Sequence, residues 1–511
     1  MRLLARALLP VALLAVLVLS PGLMRADSPL SAEELAQLIG TEWYRVTVMG
    51  QPNGYARIET ALVSGDGGPR LRVTEELRIL ISLAGRDLEA SKSQVTVYDE
   101  RLRPASIELA KDELGRSSHL TATLDGDVLI VRSGPDGPGS PDPVEKRIAV
   151  PEDLSSDLVI QARLLRGEIA VGDRFEYAVY DPEVEVLDRH TVAAERREML
   201  GDTDTLLLTA SSEKLGIEVL SWVDDGGVLL RQSVPGLMEL TLERVTEAEA
   251  LASLAPFEIR AQIPLDQRLP LVGSLREVQL RVRRNVGPAV ELIPATRRQE
   301  VVAEGEDALV SVARETPPAG DASLPLPITG ESLAEFLQPT RHAQSDDPRL
   351  VETARGIIGD ETDAWGAAQL LCSWVYRSMQ KVASEPRPIT ALEALEAMRG
   401  DCTEHAILLA GLGRAVGLPT RLITGLAYVG GKLGYHAWTE VYVGRWVEMD
   451  PAWGQMTADA GHLQIYASAL DEASYARASL ATGRTIGAVE IDLLGYVSAD
   501  GREVRFGEEQ P

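Results

Sequence analysis

The chain has 511 residues, more than one ordinary domain holds, and its 45% apolar and 25% charged residues are the composition of a folded protein with ample core, not a disordered or fibrous one. Its 50 Lys and Arg against 77 Asp and Glu leave a formal charge of −27. That balance excludes a nucleic-acid partner by bulk charge and argues against docking on anionic lipid.

Residues 1–26 read as a secretory signal peptide. Arg2 and Arg6 supply the charged start, Ala7 to Leu19 form an apolar run interrupted only by Pro10, and Ala26 offers a cleavage point. The run is too short to span a bilayer, and no later stretch is long and apolar enough, so no integral membrane span is expected after cleavage. Retention of the segment as an anchor is the other reading. The expected location is periplasmic or secreted. In such an oxidising space a chain with only Cys372 and Cys402 does not depend on disulfides for its fold. Either one thiol is free for chemistry or the two bridge each other.

Short alternating runs such as Trp43–Val48 and Leu71–Val73, separated by Gly/Asp turns, predict a β-rich domain over 27–145 that ends in the Gly/Pro-rich run Gly134–Pro143. The same texture predicts a second β-rich domain over 146–250 and a third over 251–316. No fixed period supports a duplication. Four prolines between Pro317 and Pro327 mark a linker over 317–330. Beyond it, helical periodicity from about Leu350 to Val416 gives way to three strand-like runs between Thr420 and Asp450. This predicts an α+β domain over 331–480, followed by an extension over 481–511. Motifs that carry chemistry are confined to the α+β domain.

Within it, Thr390 and Glu393 form a capping box that opens a short helix, with Gly400 placed to end it. Asp401 then caps a second helix, with Glu404 at the capping-box position and apolar residues running through Leu408, Leu409, Leu412 and Val416 to the stop at Gly417 and Pro419. Cys402 falls in the first turn of that helix. There the unpaired N–H groups and the positive end of the macrodipole favour a thiolate, the form that attacks carbonyls.

A potential base, His436, and a potential orienting acid, Asp450, follow on strand-like segments. In this hairpin Ala437, Thr439, Val441, Val443, Val447 and Met449 share one face, and His436, Trp438, Glu440, Glu448 and Asp450 share the other. A two-residue loop would put His436 and Asp450 on opposite faces. A three-residue loop, Val443 to Arg445, pairs Tyr442 with Trp446 and Trp438 with Asp450, and brings Asp450 diagonal to His436. It also sets Glu440 against Glu448, which needs an Arg or solvent between them; both acids are expected at the cleft rim or on the surface.

Gly400-Asp401-Cys402-Thr403-Glu404-His405-Ala406, then His436-Ala437-Trp438, then Asp450-Pro451 resemble the transglutaminase-like superfamily of cysteine enzymes in three ordered, separated motifs. The resemblance covers roughly Ser332 to Tyr466. It implies a papain-like α+β core without metal or other cofactor, in which Cys402, His436 and Asp450 match nucleophile, base and orienting acid. Trp438 and Tyr435 are candidate substrate-cleft residues, and the Cys402 N–H is one candidate oxyanion donor. His405 reads as structural, because its side chain lies one turn along the helix from Cys402. Cys372 reads as a packed core thiol. The scattered histidines show no zinc-ligand spacing.

The expected function is that of an exported cysteine acyl-hydrolase or acyltransferase acting on peptide-like amides of a peptide or protein substrate. Hydrolysis is preferred to transfer because nothing in the chain specifies an amine acceptor site. The alternative is a non-catalytic scaffold or peptide-binding protein that keeps the transglutaminase-like fold.

Overall fold

The computed structural model describes residues 31–506 apart from 66–67, 84, 114, 137–142, 157, 253, 260, 321, 328–330 and 383–389. The expected signal peptide lies outside the described residues. The chain forms two compact units that divide between Ile259 and Arg260.

In the N-terminal unit, alternation of apolar and polar residues produces strands with one buried face; along Gly40–Val48 it is Tyr44, Val46 and Val48 that are buried. These strands make one sheet, antiparallel except where Phe257–Ile259 lies parallel beside Gly68–Leu83. It runs from Gly40–Val48 outward through consecutive hairpins to Val144–Ala149 on one side, and from Leu240–Val245 back to Arg174–Asp181 on the other. The first strand joins the halves, pairing with Gln51–Gly65 and, through Val46 and Leu242, with Leu240–Val245. The boundary expected between 145 and 146 therefore falls inside a sheet, and the Gly/Pro-rich run joins two strands, Val128–Pro135 and Val144–Ala149, that pair with each other. Leu154 and Tyr180, from beyond that boundary, pack on Ile107, Leu109, Leu120 and Val131. The two expected domains share a core.

The C-terminal unit is built on a mixed core of helices and antiparallel sheet. Its central sheet has the order Gln262–Pro264, Lys432–Tyr442, Thr420–Val429, His462–Ser468, and Trp446–Met449 also pairs with Lys432–Tyr442. The helices Pro348–Ile358, Ala364–Ser378, Ala391–Ala397 and Cys402–Ala415 bury Leu350, Ala368, Leu371, Val375, Leu408 and Leu412 with Ala437, Val441, Val447 and Met449 of the sheet. This is the odd-numbered hairpin face that patterning assigns to the core.

A second sheet has the order Gln299–Glu304, Asp307–Ala313, Leu275–Arg284, Val489–Ser498, Glu503–Arg505. The segment expected as a C-terminal extension thus supplies a central strand beside Leu275–Arg284, a strand of the expected third β-rich domain. The Pro-rich segment is tied down rather than free. Leu324 N–H donates to the Thr362 carbonyl at 2.8 Å, and Ala364 N–H donates to that of Ala322 at 2.8 Å. Among the described residues no helix is long and apolar enough to cross a membrane.

Candidate active site

The helix opened by the Thr390 capping box ends at Met398, which takes the left-handed conformation, two residues before the stop expected at Gly400. Gly400 has a different task. A Cβ there would lie 2.4 Å from Cβ of Glu404, so only glycine lets Glu404 fold back and accept the Asp401 N–H at 2.6 Å. Asp401 in turn accepts the Thr403 N–H at 2.9 Å, completing the predicted capping box and fixing Cys402 as the first helical residue. Cys402 is half-buried and free. Cys372 is also free, so the two do not bridge; it lies wholly within the core, where burial pushes its thiol well above the usual range.

The hairpin adopts the three-residue loop, with Tyr442 opposite Trp446 and Glu440 opposite Glu448. That register brings His436 Nε2 to 2.9 Å from Asp450 Oδ2. With Nε2 so engaged, Nδ1 is left to face the Cys402 side, and Cys402 lies near enough to act electrostatically on the same ring. Burial works against the imidazolium form of His436, but the charges and hydrogen bonds of Asp450 and Cys402 outweigh it and push the group up to about 10. Burial likewise opposes ionisation of Asp450. The His436 charge and the hydrogen bonds of His436 and His462 prevail and hold its carboxyl well below the usual range. The other Asp450 oxygen, Oδ1, accepts the N–H groups of Ala452 at 2.7 Å and Trp453 at 3.1 Å.

Two further residues belong to this site, of which the sequence reading missed Trp453 and did not settle the place of His462. Trp453 stacks on the His436 ring with centroids 4.3 Å apart and planes 24° from parallel. The signal for it was position: an aromatic residue three places after the acid, in the turn whose N–H groups the acid accepts. His462, which the sequence reads as lining the cleft or capping a loop without choosing between them, faces Asp450 Oδ2 with Nε2 at 3.3 Å and Asp459 Oδ1 with Nδ1 at 2.9 Å. Burial disfavours its charge, but hydrogen bonds to Asp450 and Asp459 raise it above the ordinary histidine range.

Neither candidate cleft residue lies open to a substrate. Trp438 is fully buried and its indole N–H donates to Glu448 at 2.8 Å, which commits the donor. Tyr435 is buried with its hydroxyl accepting from Thr485 at 3.0 Å. Strand alternation explains the pair: these positions face opposite sides of a sheet that is covered on both. Glu440 and Glu448 are also buried, not at a rim. Each has its own arginine, Arg421 for Glu440 at 2.7 Å from Nε and Arg298 for Glu448, which relieves the like-charge pairing. His405 is buried, and its Nδ1 donates to the Asp401 carbonyl at 2.6 Å, a structural position.

His436, Asp450 and His462 present two imidazole nitrogens and a carboxylate oxygen within 4.8 Å, a donor set suited to a divalent metal ion. Both Nε2 atoms already address the same Oδ2, so the three side chains engage one another.

Residues 351–451, which contain Cys402, His436 and Asp450, match the family model of the transglutaminase-like superfamily. No curated protein matches the chain. Among solved structures, a candidate cysteine protease from Cytophaga hutchinsonii is similar at 17% identity and a TM-score of 0.29, over 42% of this chain and 82% of that one. The periplasmic domain of TgpA from Pseudomonas aeruginosa is similar at 14% identity and a TM-score of 0.28, over 39% of this chain and 90% of that one. The C-terminal unit thus carries a transglutaminase-like domain over residues 351–451.

Proposed function

We propose that the protein is an exported cysteine acyl-hydrolase or acyltransferase that acts on peptide-like amide bonds, with Cys402 as nucleophile, His436 as base and Asp450 as the group that orients His436. The observation that carries this reading is a half-buried thiol at a capped helix N-terminus that acts electrostatically on a buried imidazole, whose Nε2 lies 2.9 Å from a buried carboxylate. His436 takes the Cys402 proton and the thiolate attacks the amide carbonyl. Its developing oxyanion lies near the helix start, where the Cys402 N–H is a donor. Collapse of the tetrahedral intermediate expels the amine, which leaves with the proton from His436 and an acyl group on Cys402. Water, activated by His436, then releases the acid; an amine in its place completes transfer. Trp453, stacked on the imidazole, shields the ring from solvent.

The test needs no known substrate. Iodoacetamide at pH 6, with modified sites mapped by mass spectrometry, should alkylate Cys402 about tenfold or more faster in the native protein than in His436→Ala, and leave Cys372 untouched until the protein is unfolded. Equal rates in the two proteins would return the chain to the scaffold reading.

A further inference from the structure

Asp450 is fixed from every side. Its Oδ1 accepts two backbone N–H groups of its own turn, from Ala452 and Trp453, while Oδ2 receives His436 Nε2 at 2.9 Å and His462 Nε2 at 3.3 Å. The backbone contacts hold one oxygen but leave the carboxylate free to tilt about the bond to its side chain. The contact from His462 removes that freedom at the oxygen His436 uses.

His462 is itself fixed. It is completely buried, its Nδ1 lies 2.9 Å from Asp459 Oδ1, and Trp438 and Trp453 meet its ring edge to face at 5.1 and 5.3 Å. Asp459 is held in turn by the Gln455 side-chain amide at 2.8 Å and the Gly461 N–H at 2.9 Å. A chain of hydrogen bonds therefore runs inward from Asp459 through His462 to Asp450 and His436. The strand His462–Ser468 and the hairpin that carries His436 lie on opposite sides of the strand Thr420–Val429, so the contact spans the sheet.

We propose that His462 is a positioning residue: by hydrogen-bonding Asp450 Oδ2 it sets the carboxylate, and hence the His436 ring, in the orientation that activates Cys402. The role rests on the proposed set of Cys402, His436 and Asp450. It goes beyond that set by adding a second imidazole, anchored by Asp459, to the same carboxylate oxygen.

The two imidazole nitrogens can be separated by substitution, because a glutamine amide reaches about as far as Nε2 and an asparagine amide about as far as Nδ1. His462→Gln keeps a donor for Asp450 and gives up Asp459; His462→Asn does the reverse. Both are made in the full chain and compared by the rate of Cys402 alkylation with iodoacetamide at pH 6, alongside thermal unfolding. Removing an orienting partner of a reacting histidine costs about tenfold or more. The expected result is a rate within about threefold of the native protein for His462→Gln and a loss of about tenfold for His462→Asn, with unfolding midpoints that do not follow the rates. A merely structural histidine would give rates that track stability and treat the two variants alike. Equal rates for both variants, in a protein whose alkylation is slowed by His436→Ala, overturn the positioning role and leave the proposed function standing. A rate that His436→Ala does not change overturns the proposed function itself, and the positioning role with it.

Discussion

A buried carboxylate opposite another on the next strand is an unusual thing for a hairpin to keep, and Glu440 shows what it costs. Burial and the charge of Glu448 push its carboxyl up, while Arg421 pulls it down, and the balance leaves it at about 7. Because this folded value lies above that of the unfolded chain, the stability linked to Glu440 is full below the ordinary carboxylate range and is lost as pH rises through about 7. Replacing it with glutamine keeps the shape and removes the titration. Arg421 retains its place over the Trp446 ring at 4.3 Å and the Phe336 ring at 5.5 Å. Glu440→Gln should therefore change stability little at pH 5 and raise it by on the order of 2 kcal/mol at pH 8.5, as read from urea denaturation at the two pH values. A difference independent of pH would mean that Arg421 neutralises Glu440 completely. The strand register read from the sequence already set Glu440 against Glu448 and called for an arginine or solvent between them; what it did not show is burial, since both acids read as cleft rim or surface. Their burial depends on covering residues drawn from elsewhere in the unit, and the alternating pattern of the hairpin records its own two faces but not what lies over them.

At the scale of elements, the parts of the site that were legible are those governed by local geometry. The capping box at Asp401 and Glu404 and the three-residue loop at Val443–Arg445 are short-range consequences of helix ends and strand parity, and together they bring Cys402, His436 and Asp450 near one another. What closes over the site was not legible, because Arg298 reaches Glu448 from 150 positions away. Arg298 also donates to the carbonyls of Ala313 at 2.6 Å and Asp459 at 3.2 Å, so one side chain joins the second sheet to the hairpin and to the loop before His462. Glu448 is in addition the acceptor for Trp438, which lies between the His436 and His462 rings and the covering residues. Arg298→Ala would leave Glu448 buried with its guanidinium partner gone. A loss of about 3–5 kcal/mol is expected, measured as a lower denaturation midpoint in urea. Arg298→Ala and Glu448→Gln together should lose less than Arg298→Ala alone, since the uncompensated charge is then removed; a double variant as unstable as the sum of its parts would show that the pair is not coupled.

Over the whole molecule the reading by texture divided the chain where the fold does not. A Gly/Pro-rich run serves equally as a linker and as the connection between two paired strands, and Gly134–Pro143 is the latter. Pairing between Gly40–Val48 and Leu240–Val245 leaves no trace in either segment, because a strand's periodicity states which face is buried and not which strand lies beside it. The same blindness made residues 481–511 look like an appendage. In the structure Val489–Ser498 lies between Leu275–Arg284 and Glu503–Arg505, with Val489, Ile491 and Leu493 buried alongside Val278, Leu280 and Val282. Removing it would expose both the apolar face of that sheet and the unpaired backbone edge of Leu275–Arg284, a template for aggregation. A chain ended after Arg484 retains Cys402, His436, Asp450 and His462, yet it should be recovered largely as aggregate or with a C-terminal unit that proteases degrade. The N-terminal sheet, which contains no strand from beyond Ile259, should resist. Limited proteolysis of the truncated and full chains, with fragments identified by mass, decides between this and an appendage. If the truncated chain is soluble, resists digestion throughout and alkylates Cys402 at the native rate, the last strand is dispensable and the texture-based boundary near 480 is the true edge of the transglutaminase-like unit.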